Sequence, residues 1–274
     1  MTDLYAVIGA PIGHTKSPLI HSMFAEATRQ DLAYVAIEGP PGGFAGRVDQ
    51  FRREGGRGLN VTTPFKLDAF AYANHVSERA RLAGAVNAMK FDGGRASAEN
   101  FDGVGLVNDI QRNLFYPLAG KRILVLGAGG AARGLIVPFL AEKPAVIGVA
   151  NRTPERARAL ATQFSALGGI LGMGYDALAA LPPFDLVVNA TSASLSGGLP
   201  PVPEASFARG CLAYELAYAM GLTPFLQVAR SAGAARLADG VGMLVEQAAE
   251  AFEWWRGVRP ETASVIERLT IPLS

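Results

Sequence analysis

The sequence predicts an α/β protein of two domains, each built on a sheet covered by helices, and three observations support this. Short apolar, β-branched runs alternate with helical segments along the chain. A second alternating series begins near Lys121, which predicts a second sheet. Half of the 274 residues are apolar, enough for sizeable cores, and no long polar linker separates the halves. We therefore expect two closely coupled domains with a cleft between them.

Three strand–helix pairs open the chain. The predicted strands are YAVIG, YVAI and GLNVT, and the helices that follow them are Pro18–Ala27, Gly43–Arg53 and Pro64–Ala73. One face of the first helix is apolar at helical spacing, with Ser17-Pro18 as cap and first turn; its members are Ile20, Met23, Phe24 and Ala27. Such βαβ units predict a parallel sheet.

The third helix carries a lysine where acids are usual. In NVTTPFK, Thr63 is a suitable N-cap and Pro64 a suitable first residue, so Lys66 falls near the third helical position. A cation there meets the positive pole of the helix dipole, at a cost of roughly 0.3–1 kcal/mol. First-turn lysines are usually structural. The alternative explanation is that Lys66 takes part in proton transfer, and that its position is poor for stability because it suits that role.

The segment AVNAMKFDGGRASAEN predicts an edge hairpin that turns at Asp92-Gly93-Gly94, and a helix is expected from about Gly103 to Asn113. Four further strands, in RILVLG, AVIGVA, FDLVVN and CLAYELAY, predict a second sheet of Rossmann type that ends near Asp239. We assign residues 103–239 to this domain and residues 1–102 with 240–274 to the other.

The last long helix, GVGMLVEQAAEAFEWW, is predicted to return to the first domain. Its apolar stripe consists of Met243, Leu244, Ala248, Ala251 and either Phe252 or Trp255.

Composition limits the kinds of function. The formal charge is +1, from 25 basic and 24 acidic residues that are interspersed, so we expect small-molecule partners rather than nucleic acid or an anionic membrane. Cys211 is the only cysteine, which excludes an internal disulfide or a multi-thiolate metal site, and three scattered histidines form no ligand spacing. The first apolar run has no basic leader, and no 18 apolar residues run unbroken, so we expect a cytoplasmic protein.

A glycine-rich turn predicts a dinucleotide site. The string LVLGAGGAARG follows a strand, opens a helix and matches G-x-G-x-x-[G/A] with Gly127, Gly129 and Ala132. The first two glycines permit a tight turn and the close approach of a pyrophosphate, which the helix N-terminus stabilises.

The end of the next strand indicates NADP(H). NAD-preferring sites carry an acid there, whereas this chain reads NRTPER from Asn151. Arg152 and Arg156 lie one helical turn apart and could bind a 2′-phosphate together. Alternatively, Arg156 pairs with Glu155 or another neighbour in a solvated helix start. Thr191 and Ser192 in NATS could line the cofactor or form an ordinary turn.

Taken together, these blocks resemble the shikimate dehydrogenase family over nearly the whole chain. The matching strings are GAPIGHTKSP, NVTTPFK, GAVNA, ENFDGVG, GAGGAARG, NRTPERA, NATS, TPFL and DGVGMLVEQA. The resemblance implies reversible, NADPH-dependent reduction of 3-dehydroshikimate to shikimate, with the substrate bound by the first domain. Related alternatives are a quinate/shikimate or aminoshikimate dehydrogenase, and a more distant one is a non-catalytic NADP-binding sensor.

The resemblance also implies roles for residues. It makes Lys66 the proton donor and acceptor with Asp102 as its partner, although Asp102 could equally cap the helix at Gly103. It assigns the substrate carboxylate to Thr15 and Ser17 and the ring hydroxyls to Thr62, Asn87 and Gln247; singly, these residues have plain structural explanations. Cofactor contacts are expected from Gly127, Ala128, Gly129, Gly130, Ala131, Asn151, Arg152, Thr153, Arg156, Thr191, Ser192, Gly240 and Met243. A monomer or homodimer is expected.

Two positions depart from the family pattern. Thr15 replaces the usual serine, and its methyl group is expected to narrow the carboxylate pocket. Phe101 replaces the usual threonine, which is expected to bring a large apolar ring beside Asp102. Neither change removes a proton-transfer group, but both bear on substrate range. His14 is expected near the site without a catalytic role, and His21 and His75 at surface or packing positions.

Overall fold

The structure is a computed structural model that describes residues 2–218 and 220–273, without the side chains of Leu195 and Ser196. The chain divides into two compact units. The first consists of Met1–Gly105 and Val245–Glu267, and the second of Leu106–Leu244 and Arg268–Ser274. The predicted domain junctions lie after residue 102 and before residue 240, whereas the structure places them after Gly105 and before Val245. Residues 268–274 were also predicted to lie in the first domain, whereas they belong to the second unit.

The first unit contains a six-stranded sheet. Its strands are β1 (Asp3–Gly9), β2 (Leu32–Glu38), β3 (Gly56–Val61), β4 (His75–Val76), β5 (Ala88–Asp92) and β6 (Arg95–Glu99). The order is β2-β1-β3-β5-β6-β4, with β1, β2 and β3 parallel and the β5–β6 hairpin antiparallel. The predicted parallel strands and hairpin are confirmed. The hairpin is not at the edge, because the short β4, which the sequence analysis missed, pairs with β6.

Helices cover this sheet, and their bounds are α1 (Ser17–Thr28), α2 (Phe44–Arg53), α3 (Lys66–Tyr72), α4 (Glu78–Ala83) and α5 (Asp102–Asn108). In α2, Phe44, Val48 and Phe51 recur at helical spacing and belong to the same buried core as Leu59 and Met89 of the sheet. In α1, the buried face is formed by Ile20, His21, Phe24 and Ala25, so the prediction that Ala27 shares it is wrong.

Two predictions about helix ends are wrong. Helix α3 begins at Lys66, because Phe65 N–H donates to the Thr62 carbonyl at 2.9 Å and closes a turn before the helix. Thr63 is therefore not the cap, and Lys66 is the first helical residue. Residues Gly103 to Asn113 do not form one α-helix, since α5 ends at Asn108 and continues as a π-helical turn from Asp109 to Asn113.

The second unit contains a parallel, six-stranded sheet. Its strands are β7 (Arg122–Leu126), β8 (Val146–Ala150), β9 (Ile170–Met173), β10 (Phe184–Asn189), β11 (Phe207–Glu215) and β12 (Arg236–Ala238). The order β12-β11-β10-β7-β8-β9 is 3-2-1-4-5-6 when counted within the unit, which confirms the Rossmann prediction. The short strands β9 and β12 were not predicted. The helices are α6 (Gly130–Ala141), α7 (Pro154–Phe164) and α8 (Pro224–Ser231).

The chain ends with α9 (Val241–Arg256) and α10 (Ala263–Leu269). As predicted, most of α9 packs in the first unit: Trp255 stacks on Tyr5 with ring centroids 4.8 Å apart, and its Nε1–H donates to the Met89 carbonyl at 2.9 Å. Both Phe252 and Trp255 are buried. Among the helices of the described residues, none combines the length and apolar character that would be needed to span a membrane.

Candidate active site

Lys66 and Asp102 meet in the first unit, as expected. Helix α3 begins with Lys66 directly after the turn that follows β3, and α5 begins with Asp102. Lys66 Nζ lies 2.5 Å from Asp102 Oδ2, and the two side chains are 32% and 16% exposed. The amine is therefore held by a carboxylate while part of it remains open to solvent and to a ligand.

Asn87 and Gln247 join this pair. Asn87 Nδ2 donates to Asp102 Oδ1 at 2.8 Å and to Gln247 Oε1 at 3.2 Å, while Asn87 Oδ1 accepts from Phe101 N–H at 2.8 Å. Asn87 is almost fully buried and Gln247 is half-buried, so neither is an exposed surface amide. We call Lys66, Asn87, Asp102 and Gln247 the Lys66 cluster.

A glycine permits the approach of α9 to α5 at this cluster. A Cβ on Gly105 would lie 2.7 Å from both the backbone nitrogen and the Cβ of Gln247. Such distances are too short for real contacts, and backbone atoms cannot move aside as the end of a flexible side chain could. Gly105 thus allows Gln247 to reach Asn87.

We expect Gly105→Ala to raise KM for the substrate and to lower the free energy of unfolding by about 1–3 kcal/mol, since the added methyl group overpacks the helix crossing. Steady-state kinetics and chemical denaturation measure the two effects. Gly46→Ala in α2 is the matched control, because a Cβ there would meet open space. Unchanged KM in Gly105→Ala would show that the close approach does not matter for binding.

Thr15 and Ser17 lie beside each other at the start of α1. Ser17 N–H donates to Thr15 Oγ1 at 3.2 Å, and Thr15 Oγ1 lies 3.2 Å from Ser17 Oγ. Ser17 is the first residue of α1 and the cap position is Lys16, without a side-chain bond, so the alternative that Ser17 caps the helix is wrong. Thr62, half-buried, directly follows β3.

Two residues that the sequence analysis missed link these groups. The Tyr34 hydroxyl donates to Asn60 Oδ1 at 2.7 Å and also contacts the Ser17 side chain, and Asn60 Nδ2 reaches the Asn87 carbonyl at 3.4 Å. Burial raises the pKa of Tyr34 well above its ordinary value. A polar asparagine inside the buried strand GLNV was the available signal for Asn60.

His21 packs against the ring of Tyr34 and is fully buried, which fits the expected packing role. Its ring stacks on Tyr34 with centroids 4.1 Å apart, and its Nε2 lies 3.1 Å from Asn60 Oδ1. Burial lowers the pKa of His21 to about 3, although the Asn60 contact acts the other way. The ring is therefore neutral at ordinary pH. His14 and His75 are exposed.

Phe101 lies differently from the expectation. Its ring is buried in the core of the first unit, packs edge-on against Trp254 with centroids 5.8 Å apart, and lies 5.1 Å from the Arg79 guanidinium carbon. The chain at residues 101 and 102 thus directs the ring into the core and the Asp102 carboxylate toward Lys66. The expectation that this ring stands beside the acid is wrong.

The glycine turn lines a cavity of about 680 Å³ in the second unit. Gly127 has a φ of +105°, which other residues rarely adopt. A Cβ on Gly129 or Gly130 would meet nothing within 4 Å, so the backbone at the start of α6 stands open. The first N–H groups of a helix have no intrahelical partner, and α6 has no side-chain cap bond. This geometry fits a pyrophosphate.

Both arginines of NRTPER line the same cavity, together with Asn151 at the end of β8. Glu155 lies 3.6 Å from Arg158, so the alternative in which it pairs with Arg156 is not what the structure shows. The cavity wall also includes Ala128, Ala131, Thr191, Ser192 and Tyr175, of which Tyr175 was not predicted. These residues fit an adenine dinucleotide with a charged group near the two guanidiniums.

Three expected cofactor residues do not line this cavity. Thr153 is at the cap position of α7, and its carbonyl accepts from Asn151 Nδ2 at 2.9 Å. Gly240 packs so tightly that a Cβ would lie 2.1 Å from the Leu216 carbonyl oxygen. Met243 N–H donates to the Tyr214 hydroxyl at 3.2 Å.

The strand order, the open glycine turn and the paired arginines define a nucleotide-cofactor-binding α/β protein of the Rossmann class. Family models match three stretches: the shikimate dehydrogenase substrate binding domain over residues 7–89, shikimate/quinate 5-dehydrogenase over 109–196 and the shikimate 5-dehydrogenase C-terminal domain over 240–270. The chain belongs to the shikimate dehydrogenase family and is an NADP-dependent oxidoreductase.

Individual relatives span the whole chain or nearly all of it. A shikimate dehydrogenase (NADP(+)) from Dechloromonas aromatica is 55% identical over 273 residues, covering 100% of this chain and 99% of the relative. An Ael1 enzyme from Pseudomonas putida has a crystal structure with 58% identity, a TM-score of 0.95 and 100% coverage of both chains. Shikimate 5-dehydrogenase from Thermus thermophilus, solved with NADP(H) and shikimate, is 32% identical with a TM-score of 0.86 and coverage of 97% and 98%. The predicted family, fold class and cofactor are thereby confirmed.

Proposed function

We propose that this chain catalyses the reversible, NADPH-dependent reduction of 3-dehydroshikimate to shikimate, with Lys66 as the proton donor and acceptor. The observation that carries the proposal is the 2.5 Å contact between Lys66 Nζ and Asp102 Oδ2 inside a cluster of amide side chains. An amine held in this way has a fixed direction and still has protons to donate.

The chemistry requires such a group. NADPH supplies the hydride to the carbonyl carbon when it is bound. The carbonyl oxygen then needs a proton, and Lys66 donates it; in the oxidation of shikimate, Lys66 accepts the proton of the same hydroxyl. Asp102 orients the amine and balances its charge when Lys66 is protonated.

Substrate orientation is assigned to the polar side chains around the cluster. Thr15 and Ser17 hydroxyls would hold the carboxylate, and Thr62, Asn87 and Gln247 would hold ring hydroxyls. Short hydroxyl and amide groups suit this task, because each can donate to one oxygen and accept from another. The methyl group of Thr15 is predicted to narrow the carboxylate end.

The cofactor is assigned to the cavity of the second unit. Backbone N–H groups at Gly129 and Gly130 would hold the pyrophosphate, and Arg152 with Arg156 would hold the 2′-phosphate. A cytoplasmic location and a monomeric or homodimeric state remain predictions.

Initial rates of NADP⁺ reduction test this function, with shikimate, quinate or neither, and with NAD⁺ in place of NADP⁺. We expect the highest kcat/KM for shikimate with NADP⁺. Preference for quinate would favour the quinate/shikimate alternative. Tight NADPH binding without turnover of either substrate would contradict an enzymatic function and favour the sensor.

A further inference from the structure

A buried carboxylate in the second unit has no part in the proton transfer described above. Glu215 is the last residue of β11 and has 0% exposure. Its Oε2 accepts from Asn189 Nδ2 at 2.9 Å, from Ser194 Oγ at 2.5 Å and from Thr223 Oγ1 at 3.2 Å. Its Oε1 accepts from Ala217 N–H at 3.3 Å. We call Glu215, Asn189, Ser194 and Thr223 the Glu215 cluster.

Such a carboxylate is costly to bury. Removing a charge from water is strongly unfavourable unless it is paired or fully hydrogen-bonded, and no ion pair of the described residues includes Glu215. Its neighbours are neutral donors from three separate segments: the end of β10 with the loop after it, the chain after β11 and the start of α8. Hydrogen bonds from these donors fix the position and orientation of the groups around Glu215 more strictly than packing between apolar side chains would.

The cluster determines which way the Asn189 amide points. With Nδ2 directed at Glu215, Asn189 Oδ1 faces the other way and accepts from Thr191 N–H at 3.1 Å and from Thr191 Oγ1 at 2.7 Å. Ala193 N–H in turn donates to Thr191 Oγ1 at 3.3 Å. Thr191, and through its hydroxyl Ala193 N–H, are therefore linked to the buried carboxylate by the Asn189 amide.

The same three residues form a wall of the dinucleotide cavity. The Thr191 hydroxyl is hydrogen-bonded to Asn189 and to Ala193 N–H. The conformation of this loop, where it lines the cavity, therefore depends on the Glu215 cluster. An error of about 1 Å in a positioning group can cost a large factor in binding or rate.

We propose that Glu215 is a positioning residue for the NADP cofactor, acting through Asn189 on the loop at Thr191–Ala193. This inference rests on the assignment of the cavity to NADP. It does not depend on the identity of the substrate or on the role of Lys66.

The test is the Kd for NADPH, measured by fluorescence titration without substrate. We expect Glu215→Ala to raise this Kd about tenfold or more, because Asn189 Nδ2 loses its carboxylate acceptor and keeps only its 3.1 Å bond to Ser194 Oγ, which itself loses its bond to Glu215. Glu215→Gln should restore most of the affinity, since its side-chain oxygen can take the place of Oε2. Thr223→Ala is the matched control: it removes one member of the cluster and the cap bond of α8 to Leu226 N–H but has no bond to residues 191–193.

The outcomes separate positioning from stability. Thr223→Ala should lower Tm while leaving the Kd for NADPH within about twofold, since α8 loses its cap and Glu215 loses one donor while the bonds of Asn189 to Glu215 and Thr191 remain. The proposal is overturned if Glu215→Ala binds NADPH like the parent. It is also overturned if Thr223→Ala, compared with a Glu215→Ala protein of equal Tm, loses as much affinity for NADPH as that variant does. If Glu215→Ala does not fold, Thr191→Val, at a half-buried position, removes the hydroxyl bonds to Asn189 and Ala193 and leaves the Thr191 N–H bond to Asn189 in place; unchanged affinity there would also overturn the proposal. Failure of the parent protein to bind NADPH would instead contradict the cofactor assignment.

Discussion

Replacing Lys66 by alanine is expected to slow hydride transfer with its coupled proton transfer by about 10²–10⁴-fold, the range typical for loss of a positioned acid or base. The reason is local: the 2.5 Å contact with Asp102 directs one amine into the cluster, and Asn87 and Gln247 carry no titratable group that could take its place. Single-turnover reduction of NADP⁺ by shikimate measures this step. The Kd for NADPH should remain unchanged, because Lys66 does not line the cavity of the second unit to which the cofactor is assigned.

Lys66→Arg separates proton transfer from charge. A guanidinium can still pair with Asp102 but remains protonated in proteins, so it cannot accept the hydroxyl proton of shikimate. We expect this variant to be nearly as slow as Lys66→Ala. Parent-like turnover in Lys66→Arg would mean that the residue contributes only a positive charge.

Arg152→Ala is expected to weaken NADPH binding by about 10- to 100-fold and NADH binding hardly at all, since a hydrogen bond to a charged group contributes about 1.5–3 kcal/mol. Arg152 and Arg156 line the cavity, and the acid that would bind a 2′-hydroxyl is absent from the end of β8, where Asn151 stands. Parallel titrations with NADPH and NADH measure the difference.

Arg158→Ala is the control for this prediction. Arg158 is an exposed arginine of the same helix that pairs with Glu155 and does not line the cavity. Its loss removes one positive charge near the site, as Arg152→Ala does, and should leave both affinities nearly unchanged. Equal losses for NADPH and NADH in Arg152→Ala would contradict a contact to the 2′-phosphate.

The features of the candidate site that could be predicted from the sequence are those formed by residues close together along the chain. The glycine turn and the arginine pair each lie within one strand–helix connection, where spacing along the chain determines spacing in the structure. Lys66 was predicted as unusual for a related reason, because its position at a helix start is local, even though the helix begins later than expected.

The parts that were missed depend on contacts between distant segments. Tyr34 and Asn60 are 26 positions apart, and Glu215 joins donors from three segments, so no pattern in a short window indicates either group. Phe101 was misplaced for the same reason. Its packing partner Trp254 comes from α9, and only the folded first unit shows that the ring belongs to the core.

The most direct test of the account is a crystal structure of the complex with NADP⁺ and shikimate, in which the distance from Lys66 Nζ to the hydroxyl oxygen being oxidised is measured. The account predicts about 2.6–3.2 Å, the reach of a group that exchanges a proton with that oxygen. A separation well beyond this, with no bridging water and another side chain in contact with the oxygen, would contradict the assignment of proton transfer to Lys66.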